Sequence, residues 1–181
     1  MRPWFPNVSL LSLPGRRARA HWECEGGVRM PKVEMVIDTR VSPEKVREAL
    51  LDFSPRRPKI WPGIYPPMYE VYDVGQTYAD IKEGSKAPGG PIWAKEHYDW
   101  STPDAVTWTV RESNFCAPGS YVTARITPTS EGGSRIHVIW NRSPTSMFGR
   151  IATLLIVATK GAPVARSLRK GLQRLEALAG A

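Results

Sequence analysis

The chain has 181 residues, of which 41% are hydrophobic and 23% are charged. These values are typical of one ordinary globular domain, large enough to bury a core without disulfides or a structural metal. The two cysteines, Cys24 and Cys116, lie far apart and form no CxxC pair, which excludes a zinc knuckle or a dithiol redox motif of that type. We therefore expect free thiols in the cytoplasm, no metal and no cofactor.

The net charge of +8 is concentrated at the two ends of the chain. Residues 1–29 carry five arginines against two glutamates, and residues 145–181 carry six Lys/Arg against one glutamate. Because few aromatic residues accompany the C-terminal cations, we favour a solvated basic surface over a nucleic-acid interface. Weak contact with acidic membrane surfaces is the alternative. The most apolar run, 151–159, is about half the length that a membrane span needs.

Residues 1–29 are rich in proline, arginine and glycine and show no hydrophobic periodicity, so we expect a disordered basic extension that is not necessarily native. The domain is expected to span 30–181. Alternation begins at Val33 and runs to Val41, which predicts a strand. Ser42-Pro43-Glu44 then opens a helix, with Ser42 as its cap. Residues 59–63 predict a second short helix or a turn.

Six further strands, separated by turn residues, are predicted next. Their short connections indicate an antiparallel meander. The strands are Met68–Val74, Tyr78–Glu83, Ile92–Trp100, Ala105–Ser113, Ser120–Thr127 and Ser134–Arg142.

The remainder of the chain predicts a long helix that Thr145 or Ser146 caps. Gly161-Ala-Pro163 is expected to kink or briefly break it. The first half is apolar nearly all round, so we expect burial on more than one side. The second half is amphipathic. Such a helix is expected to lie across the concave face of the sheet and to leave an apolar cavity between the two.

Strand, two short helices, six strands and a long C-terminal helix is the helix-grip order. The chain resembles the SRPBCC (START-like) superfamily, and its bacterial polyketide cyclase/dehydrase-like and lipid-transport-like members. The residues that carry the resemblance are Val36-Ile-Asp-Thr-Arg-Val-Ser-Pro-Glu-Lys-Val-Arg-Glu-Ala-Leu50, Tyr98-Asp-Trp100, Val106-Thr-Trp108 and the terminal helix. The resemblance implies an α+β domain with a seven-stranded antiparallel sheet around that helix, binding hydrophobic small molecules between the two. It supplies no catalytic motif to carry over.

Alternation along the strands assigns a mixed face to the interior. Large aromatic residues share it with Glu96, Glu112, Asn114 and Arg142, while His97 and His137 fall on the outer face. A buried carboxylate requires a partner, so Glu96 forms either an ordinary ion pair with Arg142 or an anchor for a ligand. The expected ligand-contacting residues are Trp61, Glu96, Tyr98, Trp108, Asn114, Trp140, Arg142, Phe148 and Leu155.

The three tryptophans in this set, and Cys116 outside it, also fit purely structural roles. Trp108 and Trp140 fit core packing as well as ligand contact. Trp61, between turn residues, either gates the cavity or plugs the end of the domain. Cys116 is more consistent with a small buried residue than with a nucleophile, because no base partner is visible.

Three functions remain open from the sequence. The favoured one is a non-catalytic binder or carrier of a lipid, polyketide-like or aromatic molecule, acting as a monomer or homodimer. The second is a cyclase/dehydratase-type lyase or isomerase in which Glu96 transfers protons and Arg142 stabilises negative charge. The third is a membrane or protein interaction module that uses the basic C-terminal helix.

Overall fold

The computed structural model describes residues 32–87 and 89–179, and the predicted extension at 1–29 lies outside them. Seven antiparallel strands form one sheet in the order β1-β7-β6-β5-β4-β3-β2. The strands are β1 (Val33–Thr39), β2 (Glu70–Val74), β3 (Tyr78–Ser85), β4 (Ile92–Asp99), β5 (Ala105–Ser113), β6 (Tyr121–Pro128) and β7 (Ser134–Asn141). The helices are α1 (Pro43–Leu50), α2 (Arg57–Ile60), a 3-10 turn (Pro66–Met68), α3 (Met147–Ala158) and α4 (Ala162–Ala179).

This is the predicted α+β helix-grip architecture, and it follows from the local sequence. Residues of β1 alternate between buried and exposed, as its hydrophobic pattern requires. Pro43 begins α1 and Ser42 takes the N-cap position, although the Ser42 side chain makes no capping hydrogen bond. Ser146 does cap α3, accepting a hydrogen bond from the Gly149 amide at 3.0 Å.

The core lies between the inner face of the sheet and α4, which contacts β1 and α2. Ala165, Gly171 and Leu172 are buried positions of α4. Gly171 allows close approach, because a Cβ atom there would lie 2.3 Å from Cε3 of Trp61. The Trp61 indole donates to the carbonyl of Ala49 at 3.0 Å. Trp61 is therefore a core plug that holds α4 close, and it does not gate a cavity in this structure.

The predicted break in the C-terminal helix is present and is sharp. The axes of α3 and α4 differ by 81°. Gly161, at the break, has a φ of +81°, and a Cβ there would lie 2.6 Å from Cε of Met35. Only glycine meets both requirements at low cost.

The bend corrects the expectation that the first half of the helix is buried on more than one side. Only α4 lies across the sheet, and α3 packs through one narrow face that includes the buried Gly149 and Thr153. The long apolar side chains Met147, Ile151 and Leu154 are exposed. No single described helix is long and apolar enough to span a membrane, and α3 and α4 meet that criterion only together, as a bent pair.

Candidate functional site

A buried ion pair forms the polar end of the sheet's inner face. Glu96 lies midway along β4 and Arg142 directly follows β7, and each is at most 9% exposed. The Arg142 Nη2 donates to Glu96 Oε1 at 2.5 Å. Its Nη1 lies 3.7 Å from Sγ of the buried Cys116. Glu96 and Arg142 therefore both point inward, as predicted, and they contact each other as an ion pair.

The electrostatics of this pair are set by its burial. Burial raises the pKa of Glu96, the charge of Arg142 opposes that shift, and Glu83 adds to it. Burial is the largest influence on the pKa of Arg142 and acts to lower it, but the charges and hydrogen bonds of Glu96 and Cys116 together outweigh burial, and the pKa is raised. Arg142 thus stays charged. The ionised form of Glu96 is opposed by burial and stabilised by the charge of Arg142.

A second ion pair, which the sequence analysis did not identify, lies beside the first. Arg57 is 3% exposed, and its Nε donates to Glu83 Oε1 at 2.5 Å. Its Nη2 donates to the Tyr98 hydroxyl at 3.0 Å, and its Nη1 to the carbonyl of Leu50 at 2.7 Å. Burial and then the charge of Glu83 raise the pKa of Tyr98 well above its ordinary value. Tyr98 therefore acts as a neutral hydroxyl that links β4 to α2.

The two missed residues differ in how easily they could have been found. Glu83 follows Ala79 and Ile81 on the same face of β3, and both are fully buried, so alternation alone points it inward. Arg57 lies in a Ser-Pro-Arg-Arg-Pro segment where no periodicity distinguishes it from Arg56. Only tertiary contacts select Arg57 for burial.

A cleft of about 140 Å³ opens beside the Glu96–Arg142 pair. It combines aromatic walls with both carboxylates and one guanidinium. Its lining residues are Ile64, Glu83, Gly84, Ser85, Ile92, Trp93, Ala94, Glu96, Trp108, Phe115 and Arg142. We call this space the polar cleft. Of the predicted ligand-contacting residues, it brings together Glu96, Trp108 and Arg142.

The predicted apolar cavity between the sheet and the C-terminal helix is, in contrast, filled by side chains. The space that remains there is about 10 Å³, below the size of a water site. Trp61, Trp108, Val138 and Leu172 close around it. Trp140 is also a core residue, at 7% exposure. The expectation of an enclosed apolar cavity is therefore corrected, and the open space that Glu96, Trp108 and Arg142 reach is the polar cleft.

A β-bulge corrects the predicted direction of the end of β5. Lys95 pairs with Glu112 and Glu96 pairs with Val110, so one residue of β5 is unpaired and the alternation reverses. Glu112 consequently points outward and forms an ion pair with Lys95 at 2.7 Å. Asn114 is exposed as well, accepting from the Trp93 amide at 2.9 Å and donating to the Pro91 carbonyl at 3.1 Å. Asn114 thus fastens the start of β4 and does not line the cleft.

The remaining predicted contacts are dispersed. Tyr98 is buried and stacks on Trp108 with a centroid separation of 5.4 Å, so it packs against a residue of the cleft wall without lining the cleft itself. Phe148 is half-buried on α3 outside the cleft lining, and Leu155 is 57% exposed on the same helix. The inward placement of Leu155 was wrong because the 81° bend turns that helix face outward.

The histidines lie on the outer face, as alternation predicted. His97 Nδ1 is 2.8 Å from Asp80, and His137 Nε2 is 3.1 Å from Glu34. Among residues 32–87 and 89–179, no group of three or more His, Cys, Asp or Glu side chains is arranged to hold a metal ion. In the same part of the chain, every buried side-chain nitrogen and oxygen has a hydrogen-bond partner.

Comparison with solved structures confirms the fold. A protein of Thermus thermophilus superposes with a TM-score of 0.66 at 19% identity, covering 82% of this chain and 99% of that one. The Zhui aromatase/cyclase of a Streptomyces species (R1128) gives 0.66 at 12% identity, covering 81% and 93%. A START superfamily protein of Mycobacterium smegmatis gives 0.63 at 14% identity, covering 81% and 98%.

The chain therefore has the START-like (SRPBCC) fold along nearly the whole length of these relatives. At such low identity the likeness extends to the fold and not to the chemistry of the site. No protein-family model matches the sequence, and no curated protein matches it.

Proposed function

We propose that this START-like domain binds a hydrophobic small molecule that carries a hydroxyl or carbonyl group. The apolar part of the ligand lies against Trp108 and Phe115, and its polar group meets Glu96 and Arg142. The observation that carries the proposal is the polar cleft itself, where aromatic side chains face a buried ion pair. Mostly apolar walls with a few fixed polar groups are the usual composition of a ligand site.

The size of the polar cleft limits what it accepts. Small-molecule sites generally measure roughly 300–1,000 Å³, and the cleft measures about 140 Å³. An apolar cavity of roughly 150 Å³ accommodates benzene. We therefore expect the cleft to hold one aromatic ring, or one end of a larger molecule whose remainder lies outside.

The charges in the cleft wall favour neutral ligands. Glu83 and Glu96 supply two carboxylates, and Arg142 supplies one guanidinium. Each carboxylate is already paired with an arginine, Glu83 with Arg57 and Glu96 with Arg142, so the cleft offers a ligand carboxylate no free counter-charge, whereas a hydroxyl can donate to a carboxylate and accept from Arg142. The substrate class is thus a phenol or an aromatic ketone rather than an aromatic acid.

Calorimetric titration with 2-naphthol tests this proposal. We expect saturable binding that Trp108→Leu weakens by about tenfold or more, because the ring loses its main apolar contact. Trp100→Leu is the matched control, since Trp100 is also half-buried in the sheet region but does not line the cleft. The anion 2-naphthoate should bind more weakly than 2-naphthol. Absence of saturable binding, or equal losses in both tryptophan variants, would refute the assignment.

Native mass spectrometry of freshly purified protein addresses the identity of the ligand. A molecule that co-purifies with the native chain and is lost with Trp108→Leu would define the physiological class. We expect an uncharged aromatic or polyketide-like compound, with a lipid as the alternative that the sequence left open.

Acid–base catalysis in the same cleft is the second candidate function. Glu96 reaches the cleft, and burial raises its pKa, which favours proton uptake by this carboxyl. Arg142 lies beside it to stabilise an enolate oxygen. The Zhui aromatase/cyclase shares the fold, and this analogy also favours an enzymatic role for the cleft.

Deuterium exchange into 2-tetralone in D₂O tests this second function. Glu96 would remove a proton from the carbon next to the carbonyl, the electron pair would move to the carbonyl oxygen, and a deuteron would return to carbon. We expect Glu96→Gln to abolish protein-dependent exchange while 2-naphthol binding persists. Exchange no faster than in buffer would leave the chain as a binder only.

We also propose a reducing compartment, the cytoplasm, for this chain. Cys116 is a free, buried thiol in contact with Arg142. A buried free thiol of this kind is typical of compartments in which disulfides are rare.

A further inference from the structure

The exposed side of α3 is a continuous apolar surface. Met147, Ile151, Leu154 and Leu155 are between 57% and 72% exposed, and Ala158 is exposed beside them. Their spacing of four, three, one and three residues places all five on one side of the helix. We call these five residues the α3 face. Such a contiguous patch on a described surface marks an interaction site more often than scattered single side chains do.

The opposite side of α3 is firmly attached to the domain. Gly149 packs so closely that a Cβ atom there would lie 2.5 Å from the carbonyl oxygen of Phe115. Thr153 is buried, and Ile156 and Val157 pack against the main core. These contacts fix the orientation of α3, and the α3 face therefore points toward solvent.

The charged residues that adjoin α3 in the sequence are positive. The stretch from 145 to 175 contains no Asp or Glu and six Lys or Arg residues. Arg150 lies at the edge of the α3 face, and Lys160 follows the end of the helix; both are exposed. An apolar helix side bordered by cations is the composition of a helix that lies in the interface of an anionic membrane.

We propose that α3 docks the domain on anionic lipid bilayers, with the α3 face inserted among the acyl chains and Arg150 and Lys160 at the headgroups. A second copy of the chain fits this surface less well. A stable protein interface involves roughly 20–30 residues a side, whereas the α3 face offers five. This inference stands independently of ligand binding in the cleft.

Flotation of the full chain with vesicles of phosphatidylcholine and phosphatidylglycerol (70:30) tests the proposal. We expect binding to these vesicles, weaker binding in high salt, and little binding to pure phosphatidylcholine. Ile151→Gln/Leu154→Gln should lower the partition coefficient by at least about tenfold, because two aliphatic side chains no longer enter the bilayer. Both positions are exposed, so the folded state should be retained, and circular dichroism verifies this.

The control replaces two other exposed aliphatic side chains of the domain. Val36 on β1 and Val74 on β2 are 50% and 52% exposed, at opposite edges of the sheet. Val36→Thr/Val74→Thr should leave the partition coefficient within about twofold. Arg150→Gln/Lys160→Gln should weaken binding mainly at low salt.

Two results would overturn the proposal. One is a partition coefficient that Ile151→Gln/Leu154→Gln does not change, which would assign any vesicle binding to other cations of the chain. The other is a concentration-dependent dimer, seen by light scattering, that the same double variant dissociates; the α3 face would then be the contact between two copies.

Discussion

The two ends of the sheet's inner face differ in what fills them. Beneath α4, aliphatic and aromatic side chains leave about 10 Å³ of free space. Beyond Trp108, the same face carries two buried ion pairs and opens into the polar cleft of about 140 Å³. Trp108 belongs to the walls of both spaces and separates them.

This contrast indicates a division of tasks. Close packing under α4 contributes stability and leaves no room for a ligand. Buried ion pairs contribute little net stability, because desolvation of the charges offsets their attraction. The four buried charges of Arg57, Glu83, Glu96 and Arg142 therefore add little stability at this end, which is consistent with the binding role that we propose for the polar cleft.

The largest expected effect comes from breaking the Glu96–Arg142 pair. Arg142→Met leaves a buried carboxylate without its partner, and we expect the free energy of unfolding to fall by about 3–5 kcal/mol. Urea denaturation at neutral pH measures it. The double variant Glu96→Gln/Arg142→Met removes both charges and should recover most of the loss. If the double variant is as unstable as the single one, packing of the arginine rather than charge pairing explains the effect.

A smaller effect is expected at the apolar end. Gly171→Ala places a methyl group against the Trp61 ring, 2.3 Å from Cε3 before relaxation, and should cost about 1–3 kcal/mol by overpacking. Thermal and urea unfolding measure the loss, and 2-naphthol affinity should not change, because neither residue lines the polar cleft. The exposed neighbour Lys170 is the control: Lys170→Ala should stay within about 0.5 kcal/mol of the native chain. A loss of 2-naphthol affinity in Gly171→Ala would show that the two ends are coupled.

The fold was largely predictable from the sequence, because its signals are local. Strand alternation, the proline at the start of α1 and the glycine at the helix break each act over a few residues, and each appears in the structure. The size of the bend was not predictable. A glycine and a proline indicate a break, but the 81° angle depends on how Gly161 packs against Met35.

The site was predictable only where alternation continued undisturbed. Glu96 and Arg142 were placed correctly, whereas the bulge in β5 reversed the expected direction of Glu112 and Asn114. No residue of β5 predicts that bulge, because the bulge depends on how β4 and β5 pair. The prediction of an enclosed cavity was wrong for a related reason. Free volume in a core is a small difference between large packed volumes, and the hydrophobic pattern of a sequence does not determine it.

The smallest expected effect concerns the pH dependence of stability at the polar end. Burial raises the pKa of Glu96 above its ordinary value of 4.5. Between that value and the raised one, the folded protein binds more protons than the unfolded chain, so this carboxyl lowers the free energy of unfolding as pH rises. The free energy of unfolding of the native chain minus that of Glu96→Gln should therefore decrease from pH 4.5 upward, by at most about 1.4 kcal/mol per pH unit.

Urea denaturation of both proteins at matched pH values measures this difference, and taking it cancels the other carboxyls, such as Asp38 and Glu176, whose pKa values are lowered by hydrogen bonds. A difference that instead grows with pH would show that Arg142 outweighs burial and holds Glu96 ionised. In that case Glu96 is a fixed anchor for a hydroxyl donor and a poor proton acceptor, so the binding function would be favoured over catalysis. A difference that falls with pH shows that Glu96 binds its proton more tightly in the folded state, which favours a role in acid–base chemistry in the cleft.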